Sequence, residues 1–368
     1  MRILFLSNSI GGLINFRFEL LKALVQRGDE VYLSSQIEPE ISPKPLEDIG
    51  CKFIETKMSQ RGTNPLDEFK LIKEYKRIIN EVNPNIVMAY TIKPNIYGSV
   101  ACRILGVPIV ANITGIGMAL ENTGVLQKIS TLLYRWGFKK TDFVFFQNQE
   151  SIDFFAKHKI KPQAQSLIAG SGVNLEKFQF MDYPEDNGEI HFLYVGRILP
   201  KKGMQQFIDA ALYCHEHYSK VKFHIVGIKD DPYYTQQVLN LDEKGVIIYH
   251  GKQADTRPFV KSVHALIHPS YYPEGLSNVC LESSAMGRPV ITTDKSGCKE
   301  TVDDGETGFI VKQQDSKDLI EKVVKFINLP YEQKAAMGKA AHDKVAREFN
   351  RADVVKRYLE KIDELSLK

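Results

Sequence analysis

The chain has 368 residues, of which 43% are hydrophobic and 25% charged, and its formal net charge at pH 7 is +3. This composition excludes a disordered chain, and the length is too great for one ordinary core, so two globular domains are expected. The small basic excess comes without a recognition motif and therefore gives no reason to expect nucleic-acid binding.

No segment of the sequence has the pattern of an export signal or a membrane anchor. The apolar stretch at residues 2–6 is too short for a signal peptide, and no apolar run approaches the ~18–20 residues of a transmembrane helix. The five cysteines are scattered and lack metal-ligand spacing, which is typical of reduced thiols in the cytoplasm. We therefore expect a cytoplasmic protein whose membrane contact is peripheral.

The first half of the chain predicts a parallel α/β domain. A strand at residues 2–6, the pair Gly11-Gly12, a helix from about 16 to 27 and a strand at 30–34 form a βαβ opening. Gly11-Gly12 lacks the G-x-G-x-x-G spacing of a dinucleotide site, so a dehydrogenase is poorly supported. Further short apolar strands are expected at 85–89, 108–111 and 143–146.

The segment from residue 125 to 140 predicts an amphipathic helix with a basic surface. Trp136 and several aliphatic residues alternate with Lys128, Arg135, Lys139 and Lys140. A basic amphipathic helix with an interfacial Trp is typical of an element that lies on an anionic membrane surface. The alternative is an ordinary half-buried helix.

The α/β pattern restarts at residue 191, after a polar stretch at 171–189 that predicts a connection between domains. Strands are expected at 191–195, 222–226, 246–249, 265–267 and 289–292. The last helix, about 352–365, is amphipathic. The predicted domains are residues 1–175 and 190–350, and residues 351–368 are a C-terminal helix that packs on the first domain.

A basic loop follows the strand at residues 191–195. Gly196 ends this strand, Arg197 and Lys202 lie in the loop, and residues 204–217 have helical apolar spacing. Open α/β sheets bind ligands at the carboxyl ends of their strands. Arg grips phosphate oxygens in a bidentate manner and Lys offers a compact charge, so the loop predicts a phosphate site. Taken alone, either residue would more commonly be solvated surface.

The stretch from Glu274 to Glu282 is the most informative part of the sequence. An apolar strand at 264–270 precedes Glu274-Gly275-Leu276-Ser277, and a helix at 278–286 follows, with Ser277 as N-cap and Gly287 as its end. The amide groups of a helix N-terminus attract phosphate. Two carboxylates on either side can accept hydrogen bonds from hydroxyl groups. A phosphate between two hydroxyl-bearing groups describes a nucleotide sugar.

Together these patterns, E-G-L-S-x4-E and G-R-x4-K-G, resemble the retaining nucleotide-sugar glycosyltransferases of the GT-B fold, in family 4. The resemblance covers essentially the whole chain. In the N-terminal half, residues 15–17, 90–95 and 111–117 are similar to the subgroup that builds capsule, O-antigen or glycan-precursor saccharides on a polyprenyl diphosphate. It implies an α/β protein with two facing Rossmann-like doubly wound domains, a deep cleft between them, and a C-terminal helix that crosses back.

The resemblance also implies roles for individual residues. Glu274, Arg197 and Lys202 would act in catalysis on a nucleotide sugar, UDP-linked by expectation, with no further cofactor. The donor-binding residues would be Gly12, Gly196, Gly275, Leu276, Ser277, Asn278 and Glu282. Glu274 would hold the sugar hydroxyls and Glu282 the ribose.

The acceptor would bind to the N-terminal domain. Arg17, Lys93 and Thr114 are the expected contacts with a lipid-linked saccharide, and an anionic membrane surface at the inner face of the cell membrane is an expected partner. Family members often carry a His in the loop at residues 112–117, but this sequence does not, so the general base stays open. No Asp-x-Asp occurs in the chain, and metal-independent transfer is expected.

Two alternatives stay open at the level of sequence. A nucleotide-sugar epimerase shares two facing α/β domains, although it needs acid–base residues in the cleft. A non-catalytic partner of a membrane assembly complex would bind sugar nucleotides without turnover. Hydrolysis of a nucleotide-sugar donor by purified protein would separate an enzyme from the silent partner.

Overall fold

The computed structural model describes residues 1–38, 41–56, 65–121 and 124–366. The chain forms two compact units. The first comprises Met1–Ser171 together with Arg351–Lys368, and the second comprises Gly172–Asn350. In the described part of the chain, none of the helices combines the length and the apolar character that crossing a bilayer requires.

The described residues of the first unit form a parallel sheet of seven strands. The strands are β1 (Arg2–Leu6), β2 (Glu30–Ser35), β3 (Lys52–Glu55), β4 (Ile86–Tyr90), β5 (Ile109–Ile113), β6 (Phe143–Phe146) and β7 (Ala164–Leu167). The helices up to residue 171 are α1 (Ile10–Gln26), α2 (Lys44–Glu47), α3 (Pro65–Val82), α4 (Ser99–Leu105), α5 (Met118–Glu121), α6 (Val125–Gly137) and α7 (Gln149–Lys157). A π-helical turn, Pro94–Gly98, precedes α4.

The strand order of this sheet is β3-β2-β1-β4-β5-β6-β7, with every pair parallel. The order reverses between β1 and β4. In an open α/β sheet, ligands bind at such a reversal, beyond the carboxyl ends of the strands. The segments that follow β1 and β4 therefore lie where this unit is best built to bind a ligand.

The sequence placed the start of α1 too late. Gly11 and Gly12, expected in a loop before a helix at residue 16, lie in the first turn of α1. Ser9 is the N-cap, and its Oγ accepts a hydrogen bond from the Gly12 amide at 3.0 Å. A Cβ at Gly11 would lie 2.8 Å from Cδ1 of Ile41, so this glycine serves close packing rather than a turn.

The last helix of the chain, α14 in the numbering used below (Arg351–Ser366), completes the core of the first unit. Alternate residues of β1 enter two apolar layers on opposite faces of the sheet, and α1 and α14 cover one of them. The buried side chains of α14 recur every three or four residues and include Val354, Tyr358, Ile362 and Leu365. Full burial of each such side chain contributes about 1.5–3 kcal/mol, so this helix is an integral part of the unit.

The described residues of the second unit form a parallel sheet of six strands. Its strands are β8 (Ile190–Val195), β9 (Val221–Val226), β10 (Ile248–Tyr249), β11 (Ala265–His268), β12 (Val290–Thr293) and β13 (Gly308–Val311). Its helices are α8 (Met204–His217), α9 (Pro232–Glu243), α10 (Arg257–Ser262), α11 (Asn278–Ala285), α12 (Ser316–Ile327) and α13 (Tyr331–Glu348).

The order β10-β9-β8-β11-β12-β13 reverses between β8 and β11. The loops after these two strands carry the two motifs found in the sequence, so both meet at the expected ligand edge of the sheet.

The polar stretch at residues 172–189 belongs to the second unit and packs against its remaining residues. The fully buried Arg288 donates to the carbonyls of Met181 and Asp182 at 3.1 and 2.9 Å. The Tyr183 hydroxyl donates to the His264 carbonyl at 2.8 Å. These bonds tie a segment of connecting character to the body of the unit.

Four histidines, on strands of the second sheet or directly beside them, stack in one region. His191 stacks on His224 and on His264 with ring centroids 5.1 and 5.9 Å apart, and His224 stacks on His250 at 5.3 Å. Ring nitrogens of His224 lie 2.9 Å from those of His191 and 3.0 Å from those of His250. Burial, with the charges of His191 and His250 when protonated, lowers the pKa of His224 to about 4.

We expect the stability of the protein to fall as the pH falls from about 6.5 to about 4. In that range His224 is protonated in the unfolded state but neutral in the folded state. The free energy of unfolding therefore falls by about 1.4 kcal/mol for each pH unit. Denaturant titrations across this range should show the slope reduced in H224Q. His215 lies exposed on α8, so H215Q should keep the wild-type slope. An unchanged slope in H224Q would contradict the assignment.

Candidate functional site

Two loops of the second unit meet at the reversal of its strand order. The loop after β8 contains a 3-10 turn, Pro200–Lys202, which ends at Gly203 with a φ of 74°. A Cβ at Gly203 would lie 2.0 Å from the carbonyl oxygen of Pro269, the residue that follows β11. The Tyr271 amide donates to the Lys201 carbonyl at 2.9 Å. The two loops therefore touch backbone to backbone, which only glycine permits at position 203.

A third loop, after β12, supports the motif that begins at Glu274. Gly297 has a φ of 94°, and a Cβ there would lie within 2.9 Å of the carbonyl oxygens of Glu274 and Gly275. The Ser277 amide donates to the Gly297 carbonyl at 2.7 Å. Glu300 holds this loop in turn, because its carboxylate accepts from the Gly297 amide at 2.7 Å.

Lys202 and Glu274 form an ion pair between the first two loops. Their side chains are 14% and 16% exposed, so the pair is largely shielded from water. The Ser270 hydroxyl lies 3.5 Å from the same Glu274 oxygen. Burial lowers the pKa of Lys202 to about 8. The ammonium is therefore charged at neutral pH and close to its titration range in mild alkali.

Arg197 joins this pair through an aromatic ring. Its guanidinium carbon lies 5.3 Å from the ring centroid of Tyr272, and the Lys202 ammonium lies at the same distance from that ring. Arg197 also pairs with Asp230 at 3.2 Å, and both side chains are 43% exposed. Two cations thus lie at the Tyr272 ring, and Glu274 pairs with one of them. We name Arg197, Lys202, Tyr272 and Glu274 the cationic cluster.

The helix α11 begins directly after the second motif. Ser277 occupies the N-cap position with extended backbone, but among the described residues its side chain makes no capping hydrogen bond. Its hydroxyl instead lies 3.2 Å from Nε2 of His268, which is buried. The predicted N-cap position of Ser277 is therefore confirmed, although its hydroxyl bonds to His268 and not to the helix backbone. Burial, with the charge of Lys202, keeps the pKa of His268 well below its usual value, so this ring is neutral.

The remaining donor-side residues of the second unit surround the start of α11. Gly275 and Leu276 are buried in the loop before the helix, and Asn278 is its first residue, half-buried. Glu282 lies one turn further along, also half-buried. Gly196 extends β8, because its amide donates to the Val226 carbonyl at 3.1 Å. The first-turn amides of such a helix lack intrahelical acceptors and favour an anion.

In the first unit, the start of α1 already binds a carboxylate. Glu38 Oε1 accepts from the Ile10 amide at 2.7 Å and from the Gly11 amide at 3.3 Å. The Gly12 amide, which the sequence assigned to the donor, bonds to Ser9 as described above. The donor role of Gly12 stays a prediction. Because the Gly12 amide is engaged, the glycine would serve the donor by its lack of a side chain, which lets a phosphate approach the backbone closely.

The three acceptor candidates occupy different environments. Arg17 is buried, with its guanidinium 4.8 Å from the Tyr90 ring and 5.4 Å from the Tyr358 ring. Although Arg17 is a charged residue of α1, it is therefore not an exposed helix charge. Lys93 forms an ion pair with Glu68 at 2.8 Å, with both side chains about nine-tenths buried. Thr114 is exposed after β5. Their acceptor roles stay predictions.

Sequence reasoning missed Tyr272, His268 and Glu300. Tyr272 lies two residues before Glu274, where an aromatic residue gives no periodic signal. His268 was included only as part of an apolar strand. Glu300 follows Gly297 by three residues, a spacing typical of a carboxylate that accepts from a backbone amide in a turn, and this signal was available.

Comparisons with known proteins identify the family. Residues 176–344 match the family model described as glycosyl transferases group 1, and residues 2–148 match the one described as glycosyl transferase 4-like. The chain is 27% identical over 340 residues to N,N'-diacetylbacillosaminyl-diphospho-undecaprenol alpha-1,3-N-acetylgalactosaminyltransferase of Campylobacter jejuni, which covers 88% of each chain. It is 28% identical over 330 residues to UDP-Gal:alpha-D-GlcNAc-diphosphoundecaprenol alpha-1,3-galactosyltransferase of Escherichia coli, covering 83% of this chain and 81% of that one.

Solved structures show the same architecture. A glycosyltransferase from Rickettsia africae superimposes with a TM-score of 0.81 at 20% identity, covering 99% of this chain and 98% of that one. HepE of Anabaena, solved in complex with UDP and glucose, gives 0.79 at 18% identity, covering 99% and 100%. The α/β fold class of two Rossmann-like units, with GT-B glycosyltransferases as structural neighbours, is thereby confirmed.

The two family models define a glycosyltransferase, an enzyme class that moves sugars. Because the two family models cover most of the chain, one in each half, the protein belongs to the group 1 glycosyl transferases with a 4-like N-terminal region. The family that the two motifs predicted is therefore confirmed.

The close contact at Gly203 predicts a large cost for any side chain there. G203A must force apart the loops after β8 and β11, whereas Gly245 has a similar φ of 70° and, among the described residues, nothing within 4 Å of its Cβ position. G245A should cost ~1–2 kcal/mol of unfolding free energy from backbone strain alone. G203A should cost at least ~2 kcal/mol more, because backbone has to move. Denaturant midpoints of the two variants measure the difference, and equal midpoints would refute the contact.

Proposed function

We propose that this protein is a retaining glycosyltransferase that moves a sugar from a UDP-linked donor to a hydroxyl of a polyprenyl-diphosphate-linked saccharide, in the biosynthesis of a surface polysaccharide or glycan. The observation that carries the proposal is the cationic cluster at the strand reversal of the second unit. The names of the Campylobacter jejuni and Escherichia coli relatives support the lipid-linked acceptor, and the latter name supports UDP.

The cationic cluster supplies charge where a nucleoside diphosphate leaves. Departure of the diphosphate concentrates negative charge on its oxygens, and preorganised donors in a shielded site stabilise that charge best. Lys202 is held by its ion pair with Glu274, and its side chain is only 14% exposed. Its charge is therefore in place with little rearrangement of the side chain. Arg197 is more exposed, with room to close onto a phosphate oxygen. The start of α11 adds the partial positive charge of a helix N-terminus.

The two carboxylates of the motif have separate tasks in this scheme. Glu274 lies beside Lys202 and would accept hydrogen bonds from the hydroxyls of the sugar being transferred. Glu282, one turn into α11, would hold the ribose. Because Glu274 is paired with a cation, its nucleophilicity is reduced. Retention would then follow from attack on the same face as the departing diphosphate, without a covalent intermediate.

The proposed reaction needs no metal ion. The chain carries no Asp-x-Asp, and Arg197, Lys202 and the helix N-terminus offer the charge that a metal would otherwise supply. The acceptor would bind to the first unit through residues after β4 and β5, among them Lys93 and Thr114. The general base is not assigned.

The helix α6 would hold the enzyme at the inner face of the cell membrane. Its exposed apolar side chains, each 44–74% accessible, are Val125, Leu126, Ile129, Leu132 and Trp136. Lys128 is exposed on the same helix, and Lys139 and Lys140 are exposed just after its end. Apolar insertion and attraction to anionic lipid act together in such an element.

A direct assay tests the proposal. Purified protein should be screened for stabilisation by a panel of nucleotide sugars, and the best donor then incubated in EDTA with a polyprenyl-diphosphate-linked saccharide. Transfer with retained anomeric configuration supports the proposal. Loss of transfer in EDTA overturns metal independence. An epimerised nucleotide sugar would indicate the epimerase, and binding without transfer or hydrolysis would indicate a non-catalytic partner.

The role of Lys202 predicts a fall in kcat/KM as the pH rises through about 8, because this ratio follows the protonation of the free enzyme. Above that pH the neutral amine no longer offsets charge on the leaving diphosphate. Arginine keeps its charge throughout the assay range, so in K202R the fall should move to higher pH, whatever the maximal rate. K201R, in the same turn, should retain the wild-type profile. An identical alkaline limb in K202R would exclude Lys202 as the titrating cation.

Membrane attachment through α6 predicts a specific effect of charge reversal. K128E/K139E should lower binding to vesicles containing anionic lipid by more than ~10-fold, since each basic residue near the surface contributes ~1 kcal/mol. K317E/K325E makes the same change at exposed positions of α12 in the second unit and should bind nearly as wild type. Cosedimentation at two salt concentrations measures both. Equal losses in the two variants would mean that α6 is not the attachment site.

A further inference from the structure

The C-terminal helix makes a buried polar contact with the ligand edge of the first sheet. The Tyr358 hydroxyl on α14 donates to Oδ1 of Asn112 on β5 at 2.7 Å, and each residue is only 1% exposed. Asn112 lies two residues before Thr114. A hydrogen bond in such a dry environment is costly to break, because the acceptor cannot turn to water.

Asn112 also forms hydrogen bonds with two neighbouring segments. Its Nδ2 donates to the Ala89 carbonyl on β4 at 3.0 Å. Its backbone carbonyl accepts from Nδ2 of Asn95 at 2.8 Å, and its amide donates to Oδ1 of Asn95 at 3.3 Å. Asn95 belongs to the π-helical turn that follows Lys93. Through its side chain and its backbone, Asn112 thus ties together the end of β4, the end of β5 and the turn after β4.

The ring of Tyr358 is held on two sides. Phe145 packs edge-on against it with centroids 4.9 Å apart, and the buried Arg17 guanidinium lies over its face at 5.4 Å. The helix itself is anchored near its start, where Arg351 donates to the Ser171 carbonyl at 3.1 Å and pairs with Glu19 at 3.0 Å. Packing of the ring, in addition to the hydrogen bond, therefore directs the Tyr358 hydroxyl at Asn112.

We propose that Tyr358 is a positioning residue for the acceptor. Through Asn112 it holds the segments that carry Lys93 and Thr114 at the strand reversal of the first unit, although it lies on the last helix of the chain. The inference rests on the proposed function for its acceptor, but the restraint on the two segments is a property of the fold. Tyr358 has no part in donor binding, which is assigned to the second unit apart from Gly12.

Y358F tests the inference because it removes one hydroxyl and keeps the packing. Loss of one buried hydrogen bond should raise KM for the acceptor about threefold to tenfold, with kcat and UDP affinity little changed. Amide hydrogen exchange in the segments 91–95 and 112–117 should become faster by a similar factor. Exchange in the second unit should stay as in the wild type.

Y75F is the matched control. Tyr75 is also fully buried in the first unit, but its hydroxyl has no hydrogen-bond partner among the described residues, so its removal should alter neither exchange nor KM. Unchanged exchange in Y358F would overturn the inference, as would faster exchange with an unchanged acceptor KM. A wild-type protein that transfers no sugar would contradict the proposed function separately, and the exchange result would still decide whether Tyr358 restrains the two segments.

Discussion

Backbone contact between three loops is the constraint on which the candidate site depends. The loop after β8 reaches the carbonyl of Pro269 at Gly203, and the loop after β12 reaches the carbonyls of Glu274 and Gly275 at Gly297. Neither approach leaves room for a side chain. Because the loops are this close, Lys202 and Glu274 meet in a shielded ion pair although 72 residues separate them in the chain. The charge arrangement proposed to act on the donor therefore depends on the close approach of these backbone segments.

The cations of the site differ in how firmly they are held. Lys202 is enclosed and paired, so its charge is in place before any ligand arrives, and catalysis by charge stabilisation benefits from such preorganisation. Arg197 is more exposed, and its partner Asp230 is equally exposed, so water screens their attraction. The Tyr272 ring lies beside both cations. The site therefore combines one shielded charge with one that is open to solvent.

The central strands and both donor motifs could be predicted because their signals are local. The apolar runs of β1, β4, β8 and β11 are continuous, and the glycines and charges follow them directly. The sequence missed β3, β7 and β13, each of which lies at an edge of its sheet. Half of the residues in β3 and β7 are polar, so neither forms a continuous apolar run. The composition of a short segment thus predicts whether a strand is buried, but it does not predict which strands pair at the edge of a sheet.

Choices of partner could not be predicted from the sequence, because they depend on what folding brings near. Ser277 is a residue type that caps helices, but its hydroxyl lies beside the buried His268 ring instead of bonding to the helix backbone. Arg17 has the position of an exposed helix charge, but α14 arrives from the far end of the chain and encloses it. Lys93 finds Glu68 on α3. In each case a long-range neighbour determined the environment.

The return of α14 to the first unit gives the protein an order of assembly during synthesis. The second unit is one continuous segment, Gly172–Asn350, and can fold as soon as it has left the ribosome. In the first unit, α1 covers part of one apolar layer, and the rest stays uncovered until α14 emerges. The N-terminal strands therefore expose apolar surface while the whole second unit is being made. Removal of α14 would leave this surface exposed in the first unit, whereas the second unit has a core of its own.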